Sequence, residues 1–240
     1  MKIAVMCIYT EDIKELASIT IHGNKLRYCK KNGYDLIVKT KNFDYKHLGF
    51  EKIKFVKSVI ETGEYDWIYW CGCDTMVTNF NIKLESIIDE KYDFIIAKDL
   101  WDFNADSFLC RSSPNSIAFL KTVLDSHDTY IDQDGNAKDF GTRLPDGSAR
   151  CWGEQGSIID LYNMTDFKKI VKVVPQKVLN SYLYHLYASS WHQKGLDADG
   201  NDGSWSKGDF LLHMPGMPNQ LRLNISKAIV KEVIGDDNEE

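Results

Sequence analysis

The sequence lacks an apolar run of the roughly 20 residues that a helix needs to span a bilayer. Near the N-terminus, the apolar stretch at residues 3–9 has only seven residues and follows a single lysine, Lys2. Because it is so short, we interpret it as a first strand and expect no signal peptide, membrane anchor or transmembrane segment.

The sequence also lacks an excess of basic residues. Lysine and arginine number 29 and aspartate and glutamate 35, which gives a formal net charge of -6. Binding to nucleic acid or to an anionic membrane favours clustered lysine and arginine. We therefore expect no nucleic-acid partner, and we expect a small molecule or a neutral polymer instead.

Cysteine spacings typical of zinc sites or small disulfide scaffolds are missing. The six cysteines are scattered, and the nearest pair, Cys71 and Cys73, forms C-x-C and not C-x-x-C. This pattern is typical of reduced cysteines in the core of a cytosolic protein.

What the sequence does have is an alternation of strand-like and helix-like patterns, which predicts one α/β domain over residues 1–234 and a disordered acidic tail at 235–240. Strands are predicted at 3–9, 34–38, 66–70, 93–97, 107–110, 170–174 and 210–213. Helices are predicted at about 11–32, 50–60, 114–124, 154–162 and 221–229. The polar stretches 126–150 and 193–208 are predicted as long loops, which are uncommon unless they act as lids or binding elements.

Polar residues follow the apolar strand 66–70, where Gly72, Asp74 and Thr75 stand at its carboxyl end. Ligands of open α/β sheets bind at this place. Asp74 alone could equally be an ordinary turn residue.

Two distant segments could join Asp74 in one cleft: Glu154 opens a helix and His213 ends a strand. Each has a plainer interpretation, since a glutamate is favoured in the first turn of any helix and a histidine on an apolar strand is usually a satisfied core residue. Lys52 could likewise lie on a solvated helix face.

Five segments stand in a fixed order over about residues 20–220. They are Asn24-Lys25-x-x-Tyr28 with Asn32-Gly33-Tyr34, Tyr65-Asp66-Trp67-Ile68-Tyr69-Trp70 leading to Gly72-Cys73-Asp74, Asn104-x-x-Ser107-Phe108-Leu109-x-Arg111, Glu154-Gln155, and Gly208-Asp209-Phe210 to His213 with Gly216. Together they resemble the galactosyl, mannosyl and xylosyl transferases typified by yeast Golgi α-1,2-galactosyltransferases and plant xyloglucan xylosyltransferases. The second segment is similar to that family's d-W-I-w-W before D-x-D, and the third to its N-t-G-s-F-l-i-R-n.

The resemblance implies a single GT-A-type, Rossmann-like α/β domain with a mixed, mostly parallel central sheet. It also implies a glycosyltransferase that moves a sugar from a UDP- or GDP-sugar donor to a hydroxyl of an oligosaccharide or glycan acceptor, with retention of anomeric configuration and with Mn²⁺ or Mg²⁺. Unlike the Golgi members, the chain shows no anchor pattern, which suits a cytoplasmic enzyme of bacterial or viral origin.

Site residues follow from the same resemblance. The expected metal ligands are Asp74 and His213, and the expected catalytic residues are Glu154 and Gln155. The expected donor-binding residues are Ile8, Tyr9, Thr10, Lys52, Cys73, Asp74, Asn104 and Ser107.

The chain departs from the family's D-x-D at its first position, which is Gly72. The family's basic residue shortly after the histidine is also missing, because no charge stands between His213 and Arg222. Two functions therefore stay open: an active glycosyltransferase, and a degenerate nucleotide-sugar or glycan-binding module without turnover.

Overall fold

The computed structural model describes residues 1–100, 102–139, 153–186 and 194–231. Its strands are β1 Ile3–Ile8, β2 Asp35–Lys39, β3 Trp67–Cys71, β4 Thr75–Val77, β5 Phe94–Asp99, β6 Asp102–Arg111, β7 Val171–Val174, β8 Ser181–Tyr182 and β9 Leu211–His213. Six of them form a central sheet in the order β2-β1-β3-β6-β5-β7, and β4, β9 and β8 form a second, smaller sheet.

The central sheet is mixed and mostly parallel, as predicted. Strand β1 is parallel to β2 and β3, and β5 is parallel to β7. Only β6 runs against its neighbours, β3 and β5. Two residues separate β5 from β6 in sequence, so these strands form a hairpin, whereas the sequence pattern predicted two shorter, separate strands.

The α-helices are α1 Lys14–Ala17, α2 Leu26–Asn32, α3 Leu48–Ile60, α4 Pro114–Asp125, α5 His127–Tyr130, α6 Glu154–Met164, α7 Gln176–Leu179 and α8 Asn219–Ile229. Short 3-10 helices lie at Glu11–Ile13, Leu84–Ser86, Asp166–Lys169 and Tyr184–Leu186. Apolar residues of α3, α4 and α6 pack on one face of the central sheet and form its larger core. Ser113 caps α4 by accepting a hydrogen bond from the Ser116 amide, as its position before Pro114 predicted.

The predicted first helix is one continuous helical segment, but its middle, Ser18–Lys25, is π-helical. Gly33 ends the segment with a left-handed φ of 76°, which glycine adopts without strain. Within the π-helical turn, Asn24 exchanges two hydrogen bonds with the Val77 backbone, at 2.9 and 2.8 Å. Lys25 Nζ donates to the Thr75 carbonyl at 2.6 Å. Together, Asn24 and Lys25 hold β4 in place directly after Asp74.

The two predicted loops carry some structure where they are described. Residues 126–139 include α5 and a bridge between Ile131 and Ala137, and 194–208 include a bridge between Leu196 and Asp202. The remainder of the first loop, residues 140–150, and the predicted acidic tail lie outside the described residues. The single-domain boundary at 234 stays a prediction.

The described residues also bear on membrane spans and on the cysteines. In the described parts of the chain, no helix combines the length and apolar character that crossing a bilayer requires. The described cysteines, at 7, 29, 71, 73 and 110, are all free and buried, which agrees with core thiols. Cys151 lies outside the described residues.

Candidate functional site

The smaller sheet brings His213 next to Asp74. Strands β4 and β9 are antiparallel, with Thr75 opposite His213, and the Met214 amide donates to the Asp74 carbonyl at 3.0 Å. His213 Nε2 then lies 3.5 Å from Asp74 Oδ1. The two residues predicted as metal ligands therefore meet, although 138 positions separate them in the sequence.

A third ligand-type residue, which the sequence analysis did not predict, joins them. Asp106 lies on β6, and its Oδ2 is 3.7 Å from His213 Nε2. One ligand atom from each of Asp74, Asp106 and His213 lies within 4.8 Å of the others. A signal for Asp106 does exist in the sequence, because it is an acid inside the motif Asn104-x-x-Ser107. The pairing of β6 with β3, which places Asp106 beside Gly72, is what identifies it as a site residue.

The orientation of the His213 ring is fixed by hydrogen bonds behind it. Its Nδ1 lies 2.6 Å from Asn180 Oδ1, and Asn180 Nδ2 donates to the Tyr182 hydroxyl at 2.9 Å. Because the amide oxygen only accepts, Nδ1 donates to it, and Nε2 is the ring nitrogen that faces the carboxylates. The ring is 1% exposed, so it is a buried, bonded histidine that still presents one ligand atom to the cleft.

Arg222, from α8, supplies positive charge beside Asp74. Its Nη2 lies 3.0 Å from Asp74 Oδ2, and its Nε donates to the Met214 carbonyl at 3.0 Å. Burial alone would raise the pKa of Asp74, but His213 and Arg222 outweigh it and hold this pKa well below its usual range. Arg222 is thus a basic residue that follows the histidine, further along the chain than the family pattern led us to expect.

Lys52 lies at the floor of the cleft and not on a solvated face, since it is only 4% exposed. Its Nζ donates to the Ala105 carbonyl at 2.7 Å and lies 2.7 Å from Glu154 Oε1 and 3.5 Å from Asp106 Oδ1. Burial acts to lower the pKa of Lys52, but the two carboxylates more than offset it and raise this pKa. Burial and the neighbouring Asp74 raise the pKa of Asp106, although Lys52 opposes them.

Glu154 is the first residue of α6 and follows Gly153, whose φ is 50°. Its Oε2 lies 3.7 Å from His47 Nδ1. The start of α3 approaches this carboxylate so closely that a Cβ at Gly49 would lie 2.7 Å from Glu154 Oε1, which explains the glycine there. Gln155 turns away, and its Oε1 accepts from the Ala105 amide at 2.9 Å.

Asp74, Asp106, Lys52, Glu154 and Arg222 line a cavity of about 260 Å³, whereas His213 and Gln155 lie outside its lining. Of the predicted site residues, the cavity is lined by Ile8, Lys52, Cys73, Asp74 and Glu154. The cavity lies where β1 and β3 end at their carboxyl ends, which is where such sheets bind ligands.

Other predicted donor-binding residues lie outside this lining. Ser107 is fully buried, and its hydroxyl lies 3.0 Å from that of Tyr69. Asn104 donates to the Tyr182 hydroxyl at 2.9 Å, which places it in the network behind His213. The Tyr9 hydroxyl lies 3.3 Å from His22 Nε2, and the Thr10 carbonyl accepts from the Ile13 amide at 3.1 Å.

Comparison with known proteins confirms the resemblance in the N-terminal part of the chain. Residues 6–92 match the galactosyl transferase GMA12/MNN10 family. This part of the chain includes the early Asn24-Lys25 segment, Lys52 and the strand that leads to Asp74. No curated protein matches the chain significantly in sequence.

Solved structures with the same fold are GT-A glycosyltransferases. A glycosyltransferase involved in the glycosylation of the major capsid of PBCV-1 matches with a TM-score of 0.65 and 15% identity, over 95% of this chain and 100% of that one. The galactosyltransferase LgtC, in complex with donor and acceptor sugar analogues, gives 0.55 and 10%, over 94% and 95%. The glycosyltransferase GlyE of Streptococcus pneumoniae TIGR4 gives 0.54 and 14%, over 95% of this chain but 64% of that one. At such identities the likeness shows the fold alone, and the predicted GT-A fold is confirmed.

Proposed function

We propose that this chain, which has the fold of the GT-A glycosyltransferases, moves a sugar from a UDP- or GDP-sugar to a hydroxyl of a glycan acceptor. In that reaction the bond between the anomeric carbon and the β-phosphate oxygen breaks and a bond to the acceptor oxygen forms. The acceptor proton is released, and the nucleoside diphosphate leaves. The resemblance to retaining transferases extends the proposal to retention of anomeric configuration.

The observation that carries this proposal is the meeting of Asp74 and His213 at the carboxyl ends of β1 and β3. A carboxylate oxygen and an imidazole nitrogen suit Mn²⁺, and carboxylates and water suit Mg²⁺. Asp74 and His213 would hold the divalent cation. Such a cation neutralises the charge that develops on a departing diphosphate.

Arg222 assists the same leaving group. Three carboxylates, of Asp74, Asp106 and Glu154, line the cavity together with the basic side chains of Lys52 and Arg222. With neutral histidines these five side chains carry one excess negative charge, which disfavours binding of a diphosphate until a divalent cation reverses the sign. Donor binding is therefore expected to depend strongly on the metal.

Glu154 stabilises positive charge on the sugar ring as the glycosidic bond breaks. Its carboxylate is held at the cavity wall by Lys52, at 2.7 Å, and so is fixed in position before the substrate arrives. His47 Nδ1 lies 3.7 Å from Glu154 Oε2, is itself buried, and has no hydrogen-bond partner among the described residues. At the other end of the cavity, Ile8 and Cys73 lie beside the nucleoside, with Tyr9 and Thr10 following at the end of β1.

Donor hydrolysis without acceptor tests the proposal. UDP- and GDP-sugars are incubated with the protein and Mn²⁺, and free sugar and nucleoside diphosphate are quantified. We expect slow release of both from at least one donor, loss of release in excess EDTA, and recovery when Mn²⁺ is added back. Binding of UDP or GDP without release from any donor contradicts the proposal and identifies a binding module without turnover.

A further inference from the structure

The space beside Gly72 is filled by the side chain of a neighbouring strand. Residues of β3 pair with β6, with Cys71 opposite Ser107, and just beyond them the Gly72 amide donates to the Asp106 carbonyl at 3.0 Å. A Cβ built on Gly72 would lie 2.6 Å from Asp106 Cγ and 2.9 Å from its Oδ1. A side chain at position 72 and the carboxylate of Asp106 therefore compete for one volume.

Backbone conformation gives no separate reason for a glycine here. Gly72 is not among the glycines with positive φ, so an L-residue could adopt its backbone angles. The obstacle to a side chain at position 72 is therefore space, and Asp106 is what occupies that space.

Asp106 is held so that one oxygen faces the metal-ligand atoms. Its Oδ1 accepts from Trp70 Nε1 at 3.2 Å and lies 3.5 Å from Lys52 Nζ. Its Oδ2 is left 3.7 Å from His213 Nε2. Asp74 has the same arrangement, because Arg222 holds its Oδ2 while its Oδ1 faces His213.

Three atoms that can act as metal ligands thus converge: Asp74 Oδ1, Asp106 Oδ2 and His213 Nε2. Because Asn180 accepts from the Nδ1 proton, Nε2 is the ring atom that can bind a cation between the two oxygens. The two carboxylates repel each other unless positive charge lies among the three atoms. Two hard oxygens and one imidazole nitrogen suit a divalent cation of the Mn²⁺ type.

We propose that Asp106 is a third protein ligand of the divalent cation and replaces, from a neighbouring strand, the carboxylate that position 72 lacks. The proposal rests on the proposed function in placing that cation between Asp74 and His213. The two departures from the family motifs then compensate each other: a glycine stands where D-x-D has its first aspartate, and an aspartate stands in N-A-D-S-F where the similar motif reads N-t-G-s-F.

Exchanging the two residues tests the proposal. Mn²⁺ binding is measured, without nucleotide or donor, from the electron paramagnetic resonance signal of free Mn²⁺. The proteins compared are the wild type, Asp106→Gly, Gly72→Asp and the double variant Gly72→Asp/Asp106→Gly. Asp106→Asn, which preserves volume, guards against a folding defect, and Asp166→Asn, at an exposed site, is the matched control.

Asp106→Gly and Asp106→Asn are expected to weaken Mn²⁺ binding at least about tenfold. Loss of a residue that only hydrogen-bonds to a metal ligand already lowers metal affinity by about that factor. The double variant is expected to recover binding to within about threefold of the wild type. Gly72→Asp alone is expected to lower the melting temperature because two carboxylates share one volume, and the double variant is expected to relieve this.

Wild-type affinity in both Asp106 variants overturns the proposal, as does failure of the folded double variant to recover binding. A wild type that binds no Mn²⁺ also overturns it. The proposed function is judged separately by donor hydrolysis. If the exchange behaves as expected but no donor is cleaved, the metal site stands and the transferase proposal fails.

Discussion

Replacing Asp74 with asparagine is expected to lower the rate of donor cleavage at least about a hundredfold, with a parallel loss of Mn²⁺ affinity. The change removes the charge of a carboxylate that faces His213 Nε2 at 3.5 Å while preserving the shape of the side chain. Asparagine can still accept from Arg222, so the chain is expected to stay folded. Rates of free-sugar release and Mn²⁺ titrations on the same preparations measure the two effects.

The control for this variant is Asp166→Asn. Asp166 pairs with Lys169 at 2.8 Å in an exposed 3-10 helix and does not line the cavity, so its loss is expected to change neither rate nor affinity. Unchanged Mn²⁺ affinity in Asp74→Asn would contradict the central claim of the proposed function, that Asp74 binds the divalent cation. It would leave the binding module without turnover as the better account.

Replacing Lys52 with methionine is expected to destabilise the fold by about 3–5 kcal/mol, because it leaves the carboxylates of Glu154 and Asp106 without their buried cation. The lysine is 4% exposed and lies 2.7 Å from Glu154 Oε1, so solvent cannot take its place readily. Urea unfolding at neutral pH, followed by circular dichroism, gives the free energy of unfolding. Donor cleavage is expected to fall as well, since Lys52 holds both carboxylates.

Lys54→Met provides a matched control on the same helix. Lys54 pairs with Asp44 at 2.8 Å, but its side chain is 45% exposed, and its loss is expected to cost less than about 1 kcal/mol. The stability deficit of Lys52→Met is expected to shrink as pH falls. Burial already raises the pKa of Asp106, and such a carboxyl destabilises the folded state less once it is protonated. Equal losses in Lys52→Met and Lys54→Met would contradict the role given to Lys52.

Hydrophobic periodicity predicted most of the larger strands and helices around the central sheet, because each of them buries apolar residues in the core. Strands β1 and β3 are buried along their whole length and stand out as apolar runs, and Gly33 marks a helix end by its left-handed φ. Of the smaller sheet only β9 was predicted, at 210–213, since β4 has three residues and β8 only two. Strands that short have no period to detect, and distant pairing partners hold them in place.

The site residues, too, were only partly predictable from the sequence. Asp74 and His213 were predicted through motifs, but their meeting depends on the pairing of β4 with β9, which no local pattern encodes. Asp106 and Arg222 were missed because each belongs to a segment whose function becomes clear only in three dimensions. Asn104 and Ser107 were expected at the donor because they lie in a motif. Their side chains bond to Tyr182 and Tyr69, and their place at the donor stays a prediction.

Locating Mn²⁺ directly tests the central claim. Crystals grown with Mn²⁺ and UDP or GDP, measured with X-rays at the manganese absorption edge, give an anomalous difference map that shows the ion independently of the protein chain. The account predicts a peak at coordination distance from Asp74 Oδ1, Asp106 Oδ2 and His213 Nε2, with the diphosphate on its open side towards Arg222. A nucleotide bound in this cavity with no manganese peak at these three atoms, or with the peak elsewhere, would contradict it.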